Sequence, residues 1–331
     1  MLQKSSTQPE RLARHYESVL PIKGRLAIAS AFALVLAACG GDSAEPVDPP
    51  SAPVAGQLLV ANGDGSVSTC TVDDEGEIRR CATAPVGGLT LPGSIDVSGG
   101  FAYFTDVSDQ TIVVCRVDGA GRLNACSESD HHEAFTDPIG AVVAGGRLYV
   151  SNSDGGVVGC WLDGQGTPMG CADATLDGSF DNPMGTAVHE GFLFVANQGS
   201  NTVDVCKVSD AGGISDCTAH DGDGIFAMPT GITVSDSRLF VTNLDEDSVT
   251  SCRIGAAGGL SECVRVPHAA ALARPTDIAV NGTQVYISNL GTHTIATCHI
   301  GAEGTVLDCE AGAAGDAFLH PGGVTFVPAI R

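Results

Sequence analysis

The chain has 331 residues, with 16 Lys and Arg against 39 Asp and Glu, a net charge of −23, 13 cysteines and one tryptophan. So acidic a surface repels nucleic acid and anionic lipid, which excludes a binder of phosphate backbones. With aromatic residues at 5% of the chain, a broad stacking platform for sugars or bases is also disfavoured.

The N-terminus reads as a targeting segment: Lys23 and Arg25 precede a thirteen-residue apolar run, Leu26 to Ala38, which is too short to span a bilayer. The run closes on Leu36-Ala37-Ala38-Cys39-Gly40, which resembles the lipobox of bacterial lipoproteins. That resemblance implies cleavage before Cys39, lipid on its sulfur, and anchoring at a membrane without a spanning helix. Gly40, in place of Asp, resembles the pattern of lipoproteins passed on to the outer membrane, on a side that is left open. An ordinary secretory signal with a chance cysteine is the alternative. Residues 39–56 form an extended, Pro-rich tether that cannot build a core, and the folded domain is expected over 57–331. Removing residues 1–38, which hold five basic and two acidic residues, leaves 11 and 37, a net charge of −26. Solubility and salt tolerance explain that acidity without a partner; a cationic partner is the alternative.

The remaining twelve cysteines fall into six Cys-x10-Cys pairs, and aligning them divides the chain into six units of 44 to 46 residues. Every unit carries four signals in one order. An apolar run ends in Asn or Asp (Asn62, Asp106, Asn152, Asn197, Asn243, Asn289), and a β-branched run then carries the first cysteine. A Gly six residues later marks a turn before the second cysteine. A proline (92, 138, 183, 229, 275 or 321) then opens another apolar run. Four strands repeated six times predict an all-β fold, a six-bladed propeller of four-stranded blades. A strand solenoid is the competing architecture. The ends of the chain disfavour it: the first unit begins at its second strand and the last ends with a spare first strand, HPGGVTFV, able to close the ring.

Ten intervening residues allow the two cysteines of a pair to face each other across a hairpin. In an exported chain this predicts one disulfide per blade between the third and outermost strands: Cys70–Cys81, Cys115–Cys126, Cys160–Cys171, Cys206–Cys217, Cys252–Cys263 and Cys298–Cys309. Zinc would need four thiolates from blades too far apart.

The runs LYVSN, LFVAN, LFVTN and VYISN, with the PTGITV-like runs, resemble YVTN, lactonase-like or NHL-type propeller repeats over residues 57–331. The paired cysteines depart from that repeat. The resemblance implies the architecture; it does not choose among hydrolases, lyases, isomerases and binding modules.

Loops entering the innermost strands and loops joining strands two and three are expected on one face, and function is expected where the repeat is broken. The apolar residue three before each proline (Leu89, Phe135, Phe180, Phe226, Leu272, Phe318) is shared and reads as packing. The residue just before each proline is not shared: Leu91, Asp137, Asn182, Met228, Arg274 and His320. Asp137, Asn182, Arg274 and His320 offer an acceptor, an amide, a fixed cation and an imidazole around one mouth, unless they serve to cap their loops. Asp277, where most blades have Gly or Ser, is expected to face the channel. The Asn and Asp at the strand ends read as bonding their own turns, and His131, His132, His220, His268 and His293 as solvent-facing. No metal site and no cofactor is predicted, although loop carboxylates around 130–137, 173–181 and 221–223 could hold Ca²⁺.

Two functions stand against each other. One is a non-catalytic binding module of the cell envelope that takes a protein or small-molecule ligand on its central face. The other is a lactonase-like hydrolase or lyase with His320 as base and Arg274 as clamp.

Overall fold

Every apolar run picked out by the repeat is a strand in the computed structural model, which describes residues 54–129, 133–175, 180–268, 270–312 and 317–329. Cys39, the targeting segment and tether residues 39–53 lie outside the described residues. The 24 strands form six four-stranded antiparallel sheets, and among the described residues no helix is long and apolar enough to cross a membrane.

Blades 2 to 6 are continuous in sequence. Their innermost strands all begin at the repeat proline: β4 (Pro92–Ser98), β8 (Pro138–Ala144), β12 (Pro183–His189), β16 (Pro229–Ser235) and β20 (Pro275–Asn281). Proline lacks an N–H, so it is tolerated at the first residue of an edge strand. Blade 1 is composite: the C-terminal strand β24 (Pro321–Pro328) is innermost, followed by β1 (Val54–Asn62), β2 (Ser66–Asp73) and β3 (Ile78–Pro85). Leu59 pairs with Thr325 across the join, so the two ends of the domain close the ring with main-chain hydrogen bonds. Closure leaves no open end to the array.

The apolar residues of neighbouring blades form one cluster at each junction. Between blades 4 and 5, Phe194 and Phe226 pack with Ile232, Leu239 and Val241. Burying each such side chain stabilises the ring by about 1.5–3 kcal/mol. The shared residue three before each proline belongs to these clusters, as Phe135 and Phe318 illustrate with 0% and 2% of their surface exposed.

All six disulfides are formed, with Cα atoms 4.0 to 4.1 Å apart. Only in blade 1 do the two cysteines pair directly, Cys70 opposite Cys81. In blades 2 to 6 the register shifts at the first cysteine. The residue before the second one (Ala125, Gly170, Asp216, Glu262, Asp308) takes a positive φ of 48–58°, which makes a β-bulge. An even spacing allowed simple opposition; the bulge adds an extra residue to the outer strand.

The Gly six residues after each first cysteine does more than turn the chain. Gly76, Gly121, Gly166, Gly212, Gly258 and Gly304 have φ between 73° and 87°, and a Cβ on any of them would lie under 3 Å from a side chain of the preceding blade. The intruding residues are Gln284, Gln57, Phe101, Arg147, Phe192 and Arg238, each at or near the start of its blade's second strand. Tyr149 and Tyr286 strengthen two of these seats by donating their hydroxyls to the carbonyls of Gly212 and Gly76.

Candidate functional site

At the end of the blades opposite those hairpins, two sets of loops meet, and a common hydrogen-bond scheme builds the mouth of the channel. The carbonyl of each pre-proline residue accepts from the N–H that follows the strand-end Asn or Asp. The donors are Val107, Ser153, Gln198, Leu244, Leu290 and Gly63, at 3.0 to 3.1 Å. The strand-end carboxamides complete the frame. Oδ1 of Asn197, Asn243, Asn289 and Asn62 accepts from the N–H of Asp181, Ala227, Ala273 and Leu319, and Asp106 accepts from Thr90 and Leu91. These groups therefore tie down the inlet loop as well as their own turn, as Asp106 also does through the N–H of Asp109. Asn152 differs: its amide donates to the Ala134 carbonyl, and its buried Oδ1 has no hydrogen-bond partner among the described residues.

This frame holds Asp137, Asn182, Met228, Arg274 and His320 at φ of 49–51°, a left-handed conformation that is rare for residues with a side chain. Backbone and hydrogen bonding are shared, while the side chains differ at every position. Asn182 donates to Gln198 Oε1 at 2.9 Å. The N–H of Arg274 and of Met228 donates to Asp247 and to Asn201, each on the strand-two-to-three loop of the preceding blade. His320 packs its ring 4.2 Å from that of His293. Burial and this neighbour hold the His320 imidazole below its usual pKa, against the opposing pull of Asp64. The four polar residues expected around the mouth thus stand on four of five successive inlets, those of blades 3, 4, 6 and 1 with Met228 between, and Asn182 and His320 each engage a residue of a strand-two-to-three loop.

Behind the mouth, the six innermost strands enclose a cavity of about 220 Å³. At the mouth end of the cavity the strands approach so closely that a Cβ on Gly140, Gly185, Gly231 or Gly323 would strike the next strand. Asp277 stands in this series and lines the cavity. Its two oxygens accept from its neighbour Ile278 and, across the blade junction, from Val324 of β24, both at 2.9 Å. A second carboxylate, Asp96 on β4, lines the same cavity and accepts from Val97 and from Val143 of the next blade. Burial raises both acids, Asp277 to about 7, with the Asp96 charge adding to the shift. Asp96 was missed because it stands four residues after its proline, where an alternating strand offered no rule to break.

A second cleft of about 530 Å³ opens beside blade 3 and collects Glu133, Asp154 and Asp173. Among the described residues, no three His, Cys, Asp or Glu side chains converge to hold a metal ion. The segments 130–132 and 176–179 of the loops considered for Ca²⁺ lie outside the described residues, as do His131 and His132. Near 221–223, Asp221 instead accepts from the N–H of Asp223. The three remaining solvent-facing assignments change: His220, His268 and His293 are half-buried, His293 against His320, and burial lowers the His268 pKa against an opposing main-chain hydrogen bond with Val306.

No family model matches the chain, and no curated protein sequence matches it. Its fold, however, has many solved relatives. The chain is similar to a propeller in a nidogen/laminin complex, with a TM-score of 0.65 and 14% identity over 83% of this chain and 98% of that one. A candidate 6-phosphogluconolactonase of Bacteroides fragilis gives 0.62 and 15% over 85% and 100%. The periplasmic gluconolactonase of Pseudomonas aeruginosa gives 0.57 and 14% over 83% and 99%. At these identities the likeness is one of fold: this is a six-bladed β-propeller with lactonase-like and nidogen-type neighbours.

Proposed function

We propose that the protein is a binding module, anchored through a lipidated Cys39 at the outer membrane of a bacterial envelope, which recognises its ligand with the side chains around the channel mouth. One observation carries this reading: six inlets share a single hydrogen-bonded frame, and each presents a different side chain. A rigid frame with variable projections suits recognition, because little order must be imposed on binding. The nidogen-type neighbour is a propeller seen in a complex with another protein, which agrees with such a use of the fold.

Hydrolysis of a lactone is the second reading. It is favoured by the half-buried imidazole of His320, which is kept neutral near pH 7, and by the guanidinium of Arg274 on the preceding inlet. The gluconolactonase neighbours share only the fold.

Proton release from a panel of sugar and aliphatic lactones separates the two. The binding reading expects no turnover. Turnover that disappears in both folded variants, His320→Ala and Arg274→Ala, overturns it and makes the mouth an active site. A second arm immobilises the protein and exposes it to solubilised envelope proteins: a ligand retained by the native chain is lost when Asp137, Asn182, Arg274 and His320 are all replaced by Ala.

A further inference from the structure

In five blades, the residue preceding the third strand is Gly65, Gln110, Gly155, Asn201 or Asp247. Where its side chain reaches the next inlet it caps a backbone N–H, as Asn201 does for Met228 and Asp247 for Arg274. In blade 6 this position is His293, and the next inlet residue is His320. The capping pattern gives way to two imidazoles with ring centroids 4.2 Å apart and planes inclined at 54°. Both residues are held in the left-handed region, at φ of 57° and 51°, and both are half-buried. Gly63 leaves room for the pair, since a Cβ there would lie 3.1 Å from the Cβ of His320. Asp64, whose Oδ1 is engaged by Ser66, is close enough for its charge to act on His320.

Two imidazoles forced together are poorly suited to being charged at once, a cost that no other blade incurs at this pair of positions. A cation that takes a lone pair from each ring turns that cost into an attraction. We propose that His293 and His320 form a two-imidazole seat for a divalent transition-metal ion of the zinc, nickel and copper class, for which neutral imidazole is the preferred side-chain ligand. No third protein ligand closes around the pair among the described residues, so the remaining positions of the ion stay open to water, or to a donor on a bound molecule. The seat bridges the strand-two-to-three loop of blade 6 and the entry to β24, so an ion there ties the ring across its closure. This proposal is compatible with the binding reading, whereas an ion on His320 would occupy the lone pair that the hydrolytic reading needs for a base.

The test uses the full chain and zinc alone. Calorimetric titration is expected to show one equivalent bound, and thermal melting an increase in Tm with zinc that chelation reverses. His293→Ala and His320→Ala each abolish both signals. His293→Asn is the folding control, because it installs the side chain found at the same place in blade 4; it keeps the metal-free melting temperature and loses the zinc response. A native chain that binds no zinc overturns the proposal. So does zinc binding that survives in both His293→Asn and His320→Ala, which would place the ion on other histidines.

Discussion

The two faces of the ring obey different rules. On the hairpin face, every blade seats one side chain of its predecessor on a turn glycine, and the six seats differ only in which side chain fills them. On the mouth face all six inlets share one main-chain hydrogen bond and five of them a left-handed backbone, but the side chains they carry have nothing in common. The comparison separates residues that build the ring from residues that the ring displays. Substitutions on the first face should act on stability, and those on the second on what the protein recognises.

The largest effect is expected from the crosslinks that reinforce the building face. Each disulfide closes a short hairpin and, in the chain-entropy model, contributes up to about 3 kcal/mol. Replacing Cys252 and Cys263 together by Ser should therefore lower the urea midpoint clearly, and reducing all six bonds should lower it far more. The twelve cysteines should also resist a thiol reagent in the denatured, non-reduced protein.

A smaller loss, about 1–3 kcal/mol, is expected for Gly166→Ala, which combines a φ of +77° with a Cβ driven into the ring of Phe101. If that variant melts like the native protein, the seats are not what couples the blades. Mouth substitutions provide the contrast: Arg274→Ala and Met228→Ala keep the backbone bonds of their inlets and should change stability by less than about 1 kcal/mol.

The channel acid sharpens the comparison through pH. Asp277 in the folded protein titrates near 7, above the ordinary carboxyl value of 3.8, so between those limits the folded state holds a proton that the unfolded chain has released. Its contribution to stability is complete below pH 3.8 and is lost as the pH rises through 7. Asp277→Asn, read by denaturant midpoints from pH 4 to 8, should remove that part of the decline. The smallest effect is expected at the exposed ion pair of Lys207 and Asp216, 2.7 Å apart on the outer strands of blade 4, where Lys207→Ala should cost less than about 0.5 kcal/mol.

Much of the building face was legible in the sequence. Alternating apolar runs, prolines at strand starts and cysteines ten residues apart are local signals, and their recurrence gave the blade count and the crosslinks. The glycine seats were visible as glycines but read only as turns, because the side chain that demands each of them belongs to the preceding blade, far away in the sequence. The same reason hid Asp96, whose partner Val143 belongs to the next blade, and the approach of His293 to His320. The inlets were found because they break the repeat; the left-handed backbone of five of them was not, since residues as different as Met228 and Arg274 carry no shared preference for it.

The order of the glycine seats has a direction. Blade 1 leans on blade 2 through Gln57 and Gly121, and so on around to blade 6, which leans on blade 1 through Gln284 and Gly76. Such a cycle has no first member, so a chain that has finished five blades still lacks the contact that secures its beginning. The N-terminal blade is left waiting twice, for Gln284 to cover Gly76 and for β24 to pair with β1. Synthesis from the N-terminus therefore leaves the earliest part of the domain as the last to be secured.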